Sequence, residues 1–338
     1  MNRRGKTVLG VSILMAMAGF IGCMLTGSVD IPVSEVFKAL SGGETSRASW
    51  QFIVVETRVP ASCAALLSGA ALAVAGLLLQ TTFDNPLAGP SILGISTGSS
   101  LGVAIVMLAC GGALTLWGQA AVLLAALAGA VTVMLILIAL SSLVKSPTAL
   151  LIAGILIGYL VSSAIALLNF FASGESIHSY VVWGLGTFNA ITINQLTAFA
   201  ILIVVFLLGS LLFVKPLNAL LLGSRYAEST GVDVKTVRSW IMLISGALTA
   251  IVTAWCGPIG FIGLVVPHIA RLTMRSSNHR QLLPACMVQG AAIGVICQLG
   301  SVAPGQWGII PINAITPIIG VPIIIYIIVR RRSIFYFK

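Results

Sequence analysis

Charged residues are scarce in this sequence, and their scarcity excludes most kinds of protein. Asp, Glu, Lys and Arg make up only 8% of the 338 residues, whereas an ordinary soluble domain carries about a quarter. Hydrophobic residues make up 58% of the chain, and the mean hydropathy is +1.10. A water-soluble fold cannot bury this much apolar surface, so the composition predicts an integral membrane protein.

The cysteines and histidines show no pattern typical of a metal site or an enzyme. His178, His268 and His279 are far apart in the sequence, and nucleophile motifs, phosphate-binding Gly loops and HExxH are missing. We therefore expect no cofactor, no bound metal and no ATP hydrolysis by this chain alone. The cysteines occur singly in apolar stretches, without the paired spacing of a metal site, and are interpreted as packing residues: Cys23, Cys63, Cys110, Cys256, Cys286 and Cys297.

Apolar runs broken by Gly, Pro or charge divide the chain into about ten candidate membrane spans. A helix needs roughly 20 mostly apolar residues to cross a bilayer. The first run is too long for most signal peptides and is interpreted as a retained span. The third and eighth spans are short and Gly-rich, which is typical of partly broken helices. The sequence thus predicts an all-α membrane protein with a single transmembrane domain over residues 1–338. Its spans are 7–27, 58–82, 92–110, 117–144, 148–172, 194–214, 237–256, 259–274, 281–302 and 310–329.

The basic residues are distributed unequally between the two sides of this arrangement. Lys38, Arg47 and Arg58 fall on one side, and the other 15 of the 18 Lys and Arg residues fall on the opposite side. Because cytoplasmic loops are enriched in Lys and Arg, both termini are predicted to be cytoplasmic. The basic residues responsible for the net charge of +10 therefore flank the spans and do not indicate nucleic-acid binding. The cytoplasmic group is Arg3, Arg4, Lys6, Lys145, Lys215, Arg225, Lys235, Arg238, Arg271, Arg275, Arg280, Arg330, Arg331, Arg332 and Lys338.

One cytoplasmic segment is longer than a simple turn requires. Residues 216–235, between the sixth and seventh spans, are polar and of mixed charge, and they are long enough for two short helices on the membrane surface. Loops of this kind usually contact something. On the outer side, residues 28–57 and 173–193 are also long enough for short structure.

The spans lack a carboxylate that could hold a coupling ion. All eight acidic residues map to loops or span ends, whereas ion-coupled transporters usually carry a carboxylate or lysine in the middle of the membrane. The energy for transport then comes from a partner, or the protein is a passive conduit. An ion-coupled secondary transporter or a passive channel is the alternative from a different class.

Two blocks of sequence, residues 57–102 and residues 257–272, contain closely spaced motif residues, and further motif residues continue to Pro322. The motif positions in the two blocks are Gln80, Asn85, Pro86, Leu87, Ala88, Pro90, Leu93, Gly94, Gly98, Gly260, Gly263 and Pro267. With these motifs, the chain resembles the permease subunits of ABC importers for iron–siderophore complexes, haem and cobalamin.

The resemblance implies an assembly in the bacterial inner membrane. Two permease subunits, interpreted as a homodimer, form a central path through the lipid bilayer in a type II importer fold. Two cytoplasmic ATPase subunits supply energy, and an extracytoplasmic binding protein delivers substrate. The resemblance assigns ATPase coupling to Asn218, Leu222, Gly223, Ser224, Arg225, Glu228, Gly231, His268 and Arg271. For His268, a polar cap at a helix end is the alternative.

The same resemblance assigns a path, a gate and a docking site. The inner gate falls on Pro147 and Thr148, and the fifth span contributes Gly154, Gly158, Ser162 and Asn169 to the path. Close helix packing by the glycines and the serine is the alternative.

Arg58 matches one of the arginines that dock the binding protein, but Ala61 and Val302 stand where further arginines are usual. An iron(III)-siderophore is favoured as cargo because it is the commonest in the family. Cobalamin and haem are the alternatives.

Overall fold

The computed structural model describes residues 3–109, 116–144, 146–305 and 308–330, and the helices dominate these ranges. The crossing helices are α1 (Arg3–Leu25), α4 (Val59–Thr82), α5 (Ile95–Ala104), α6 (Leu116–Leu143), α7 (Pro147–Phe171), α9 (Ile193–Leu211), α12 (Val234–Cys256), α13 (Ile262–Met274), α14 (His279–Val302) and α15 (Ile312–Arg330). The connecting helices are α2 (Val33–Leu40), α3 (Ala48–Phe52), α8 (Gly174–Gly184), α10 (Val214–Leu220) and α11 (Ser224–Ser229). Cys110, Lys145, Arg331, Arg332 and Lys338 lie outside the described residues.

The number of crossing helices agrees with the sequence. In the described ranges, seven helices are long and apolar enough to span a membrane, and three shorter apolar helices bring the number to ten. The predicted all-α fold with about ten transmembrane helices is confirmed. Arg4 donates from Nε to the carbonyl of Thr273 at 3.0 Å, so the start of α1 lies beside the end of α13. Both belong to the basic end of the bundle, which we call the cytoplasmic end.

Helix α4 occupies the centre of the subunit. It packs against α9, α12, α13 and α14, and 11 of its 24 residues are Ala, Gly or Ser. Small side chains let neighbouring backbones approach closely. The closest approach is at Gly76, where a Cβ atom would overlap the carbonyl oxygen of Gly263 in α13.

The second crossing helix is longer than the sequence indicated. Helical structure begins at Ala48 and continues to Thr82, whereas residues 28–57 were expected to be an outer segment. A π-helical turn over Ile53–Arg58 joins α3 to α4, and the N–H of Val59 bonds to the carbonyl of Val54. Pro60 has no N–H and its ring crowds the preceding turn. A wider turn accommodates that ring without ending the helix.

The third and eighth crossing helices start later than the predicted residues 92 and 259. Gly94 has a φ of +77°, a left-handed conformation that glycine adopts without strain, and α5 begins only after it. Gly257 and Phe261 have φ values of +75° and +67°, so the chain turns between them before α13 begins. Two non-helical segments, at Ser91–Gly94 and Gly257–Phe261, therefore overlap the starts of the third and eighth predicted spans.

Candidate translocation path and coupling surface

The segment to which the resemblance assigns ATPase coupling forms the helices α10 and α11 at the cytoplasmic end. Leu217 and Ala227 are buried and attach the two helices to the subunit. Apolar side chains are exposed among charged ones, with Leu222 65% exposed. Such a mixture suits a protein interface. The other predicted coupling residues exposed here are Gly223, Ser224, Arg225, Glu228 and Gly231.

Asp233 closes this segment by capping α12. Its carboxylate accepts the Thr236 hydroxyl at 2.7 Å and the backbone N–H groups of Lys235 and Thr236 at 3.1 and 3.2 Å. These bonds, led by the one from the Thr236 hydroxyl, lower the pKa of Asp233 from its ordinary value. The carboxylate therefore remains charged and caps the helix at neutral pH.

The cytoplasmic end of α4 is bonded to α13 through two predicted residues. Arg271 donates from Nη1 to Oε1 of Gln80 at 2.6 Å, and Gln80 donates from Nε2 to the carbonyl of Leu264 at 3.2 Å. His268 donates from Nε2 to the carbonyl of Pro86 at 2.9 Å. His268 and Arg271, predicted for coupling, thus point towards the subunit, where Arg271 holds α13 against α4 and His268 holds it against the turn that follows α4.

The turn after α4 explains several motif positions. Asn85 accepts the N–H of Leu87 on its Oδ1 at 2.9 Å, which is an Asx turn. Ala88 is buried, and a Cβ atom on Gly263 would lie 3.0 Å from Cδ of Pro90. These residues determine the path of the chain from α4 to α5. The turn and its packing account for these motif positions without a role in binding or catalysis.

Asn218 of α10 belongs to a second group of hydrogen bonds. Its Oδ1 lies 2.8 Å from the backbone nitrogen of His279 and 3.0 Å from Nδ1 of the same residue. Its Nδ2 donates to Oδ1 of Asn278 at 3.1 Å. Nε2 of His279 lies 2.8 Å from the hydroxyl of Thr81. Three separate helices, α4, α10 and α14, therefore meet at one imidazole ring.

A polar cavity of about 460 Å³ lies towards the outer end of the bundle. It is lined by α5 and the turn before it, by α7, α8 and α15, and by the turn between α12 and α13, and six of its eleven lining residues carry a hydroxyl group. Asn313 of α15 holds this turn, because it donates to the carbonyl of Pro258 at 2.5 Å and accepts the N–H of Gly260 at 3.1 Å. The lining residues are Ser91, Ser96, Thr97, Ser100, Ser162, Ile165, Tyr180, Pro258, Ile259, Gly260 and Asn313.

Only one of the predicted path residues lines this cavity. Ser162 is exposed to it. Gly154 is buried, and a Cβ atom there would lie 3.2 Å from Cα of Leu93, so Gly154 permits close packing of the Leu93–Gly94 backbone. Gly158 lies one turn further along beside the same backbone.

The remaining predicted path and gate residues lie at the two ends of α7. Pro147 is the first residue of the helix, a position that suits proline, and Thr148 is exposed beside it. Ser146 caps this end by accepting the N–H of Ala149 at 3.3 Å. Asn169, near the outer end, is half-buried, and its Oδ1 has no hydrogen-bond partner among the described residues.

The side chain of Arg58 is not available at the surface. It is 7% exposed, and it donates to the carbonyl oxygens of Met24 and Val29 at 2.7 and 2.5 Å. It thereby binds carbonyl groups at and after the end of α1, which have no helical partner. The burial of Arg58 and its bonds to α1 favour a structural role, and docking by this residue stays a prediction. Arg47, by contrast, is exposed, with its guanidinium 5.0 Å from the ring centre of Trp50.

Sequence reasoning missed residues that the fold brings together from distant parts of the chain. Thr81 and His279 are separated by 198 positions, and Asn218 and His279 by 61. Asn313 and Tyr180 were likewise not singled out. One local signal existed: Asn278 precedes an apolar run, as an N-cap residue does.

Comparisons with known proteins agree with this architecture. The sequence profile of the FecCD transport family matches residues 14–330. A protein of Methanocaldococcus jannaschii named as an ABC transporter permease is 30% identical, and the match covers 98% of this chain and 99% of that protein. The vitamin B12 import system permease protein BtuC of Klebsiella pneumoniae is 35% identical over 86% of each chain.

A solved structure shares the fold. It is described as a metal-chelate type ABC transporter in an inward-facing conformation, with a TM-score of 0.83 and 25% identity, and the match covers 96% of this chain and 99% of that chain. With a family profile that covers most of the sequence and a relative at 35% identity, the chain belongs to the FecCD transport family and is a multi-pass permease of the ABC importer type.

Proposed function

We propose that two copies of this chain form the path of an ATP-driven importer for an iron(III)-siderophore-type metal chelate in the bacterial inner membrane. The observation that carries this proposal is the outer cavity. Its polar lining consists of hydroxyl groups and one amide, without a charged side chain. Neutral groups of this kind form hydrogen bonds with a large polar chelate but do not hold it by ion pairs, which suits a path that must release its cargo.

The exposed surface of α10 and α11 is where two cytoplasmic ATPase subunits would bind. Leu222 and Tyr226 supply apolar area, and Arg225 and Glu228 supply charge of both signs. Both charged side chains are available to a partner that fits this surface. The ATPase subunits would hydrolyse ATP, and this chain would supply the path.

An extracytoplasmic binding protein would deliver the chelate at the opposite end. Because Arg58 is buried, Arg47 is the better candidate there for pairing with an acidic side chain of that protein. Cobalamin is the second candidate cargo, since a relative at 35% identity is named for vitamin B12 import.

The test uses the chain reconstituted in proteoliposomes together with its ATPase subunits and its extracytoplasmic binding protein. Radiolabelled iron(III) trihydroxamate and cyanocobalamin serve as probes, and accumulation is measured with and without ATP. We expect ATP-dependent accumulation of the iron chelate. Accumulation of cyanocobalamin alone would identify cobalamin as the cargo in place of the iron chelate. Accumulation without ATP, or failure to bind an ATPase pair, would contradict the proposed function as an ATP-driven importer.

A matched pair of variants tests the cavity. Ser162→Leu places a large side chain in the cavity, whereas Ser163→Leu makes the same change at an exposed neighbour that does not line it. We expect Ser162→Leu to lower the transport rate about tenfold or more, which corresponds to roughly 1.4 kcal/mol, and Ser163→Leu to leave it near the unsubstituted rate. Equal rates for the two variants would exclude the cavity from the path.

A further inference from the structure

His279 lies where the coupling segment meets the body of the subunit. It is the first residue of α14 and is 1% exposed. Its two ring nitrogens contact different helices: Nδ1 lies 3.0 Å from Oδ1 of Asn218 in α10, and Nε2 lies 2.8 Å from the hydroxyl of Thr81 in α4. A buried imidazole that bonds at both nitrogens fixes the relative position of its two partners.

The hydrogen-bond partners determine where the ring proton lies. Oδ1 of Asn218 also accepts the backbone N–H of His279 at 2.8 Å, and Nδ2 of Asn218 donates to Oδ1 of Asn278 at 3.1 Å. That Asn278 oxygen also accepts the N–H of Arg280 at 2.9 Å, so the Asn218 amide cannot be reversed. Nδ1 of His279 must therefore donate to Asn218, because an amide oxygen only accepts.

The other ring nitrogen completes the connection. In the neutral ring, Nε2 is an acceptor and receives the hydroxyl proton of Thr81. That hydroxyl also lies 3.0 Å from the carbonyl of Leu77, so its single proton has two acceptors within reach. The chain of bonds runs from α10 through one rigid ring to the cytoplasmic end of α4.

Geometry limits how far the two helices can move apart. Hydrogen bonds of this kind weaken beyond about 3.2 Å, so a displacement of α10 by about 1 Å breaks one of them or carries the end of α4 with it. Helix α4 is the central helix of the subunit, and the turn that follows it leads to the cavity wall at Ser91 and Ser96. By contrast, α11 lies on the exposed surface and has no side-chain hydrogen bond to α4 among the described residues.

We propose that His279 is a positioning residue that transmits the position of α10 to α4 through Asn218 and Thr81. The inference rests on the proposed coupling of α10 to an ATPase. It assigns the transmission of a movement of α10 to the side chain of His279, and the contribution of each ring nitrogen can be tested separately.

Two substitutions each retain one of the two bonds. The amide nitrogen of Asn can take the place of Nδ1, so His279→Asn keeps the bond to Asn218 and loses the bond to Thr81. The terminal amide of Gln can take the place of Nε2, so His279→Gln keeps the bond to Thr81 and loses the bond to Asn218. We expect the amount of iron chelate transported per ATP hydrolysed to fall about fivefold or more in both variants. His178→Asn and His178→Gln, in the outer α8, are the matched controls.

A double-variant comparison separates transmission from simple loss of stability. Thr81→Val should lower the amount of chelate transported per ATP hydrolysed in the otherwise unsubstituted chain. In the His279→Asn background it should lower this ratio no further. Thr81→Ser, which keeps the hydroxyl group, should retain the unsubstituted ratio. A purely structural role predicts that transport and ATP hydrolysis fall together with the amount of folded protein, and an unchanged ratio overturns the proposal.

The outcomes distinguish this inference from the proposed function. If the unsubstituted chain does not couple ATP hydrolysis to uptake, the proposed function fails. If the unsubstituted chain couples hydrolysis to uptake and the His279 variants transport the same amount of chelate per ATP, only the proposed role of His279 fails. If the His279 variants do not fold, the Thr81→Val and Thr81→Ser pair still decides, because an unchanged ratio in Thr81→Val overturns the connection.

Discussion

Helices α4 and α7 are nearly equal in length but have opposite surroundings. Twenty of the 24 residues of α4 are buried, whereas only four of the 25 residues of α7 are buried. Their compositions match this difference. Helix α4 is rich in Ala, Gly and Ser, and α7 carries large apolar residues such as Tyr159, Leu160 and Phe170 on exposed positions.

The comparison shows that, in this protein, apolar character does not indicate which helix is central. In a membrane the lipid is as apolar as a leucine side chain, so burial is decided by how closely helix backbones can approach. Small residues therefore mark the centre of the subunit, and large apolar residues mark the surface that meets lipid or a second copy.

The largest expected effect comes from adding one methyl group to each helix. In Gly76→Ala the new Cβ overlaps the backbone of Gly263, whereas in Gly158→Ala on α7 the nearest atom is Cα of Gly94 at 3.9 Å. We expect Gly76→Ala to lower the free energy of unfolding by about 3 kcal/mol or more. Gly158→Ala should be neutral or raise it by about 0.5 kcal/mol, since alanine favours a helix.

Thermal unfolding in detergent, followed by size-exclusion chromatography, measures both variants in the same preparation. Similar melting temperatures for Gly76→Ala and Gly158→Ala would contradict the central position of α4.

A smaller effect is expected from replacing one amide on each helix by leucine. Gln80→Leu leaves Arg271 without the oxygen that accepts its Nη1 hydrogen, and hydrogen bonds to charged groups contribute about 1.5–3 kcal/mol. Asn169→Leu on α7 removes an amide oxygen that has no partner among the described residues. We expect Gln80→Leu to lower the free energy of unfolding by about 2 kcal/mol and Asn169→Leu to leave it unchanged or raise it. Denaturant unfolding monitored by tryptophan fluorescence checks the pair, and equal losses would count against a special role for the Gln80–Arg271 bond.

Much of the fold was predictable because long apolar runs must form helices in a membrane. A lipid environment offers no partner for exposed backbone groups, so runs such as those of α6 and α14 have boundaries within a few residues of the predicted ones. The start of α3 could not be predicted, since the polar residues before Phe52 resemble a loop. The starts of α5 and α13 depend on backbone conformations at Gly94 and Phe261.

The candidate site was less predictable, because its residues come from distant parts of the chain. The resemblance supplied Asn218, Gln80 and Arg271 as separate positions, but it gave no reason for His279 to lie between two of the helices involved. It also assigned docking to Arg58, which the longer second helix buries beside the end of α1. A sequence pattern identifies residue types, and only packing determines which of them face each other.

The smallest expected effect is on the exposed face of α7. Leu160 is 72% exposed, so Leu160→Ala removes few packing contacts within the subunit. We expect the free energy of unfolding of the dilute, detergent-solubilised chain to change by less than about 0.5 kcal/mol. A loss of about 2 kcal/mol or more that disappears on dilution would show instead that a second copy covers this face in detergent. The measurement therefore requires unfolding curves at several protein concentrations, because only contact between copies makes the effect of Leu160→Ala depend on concentration.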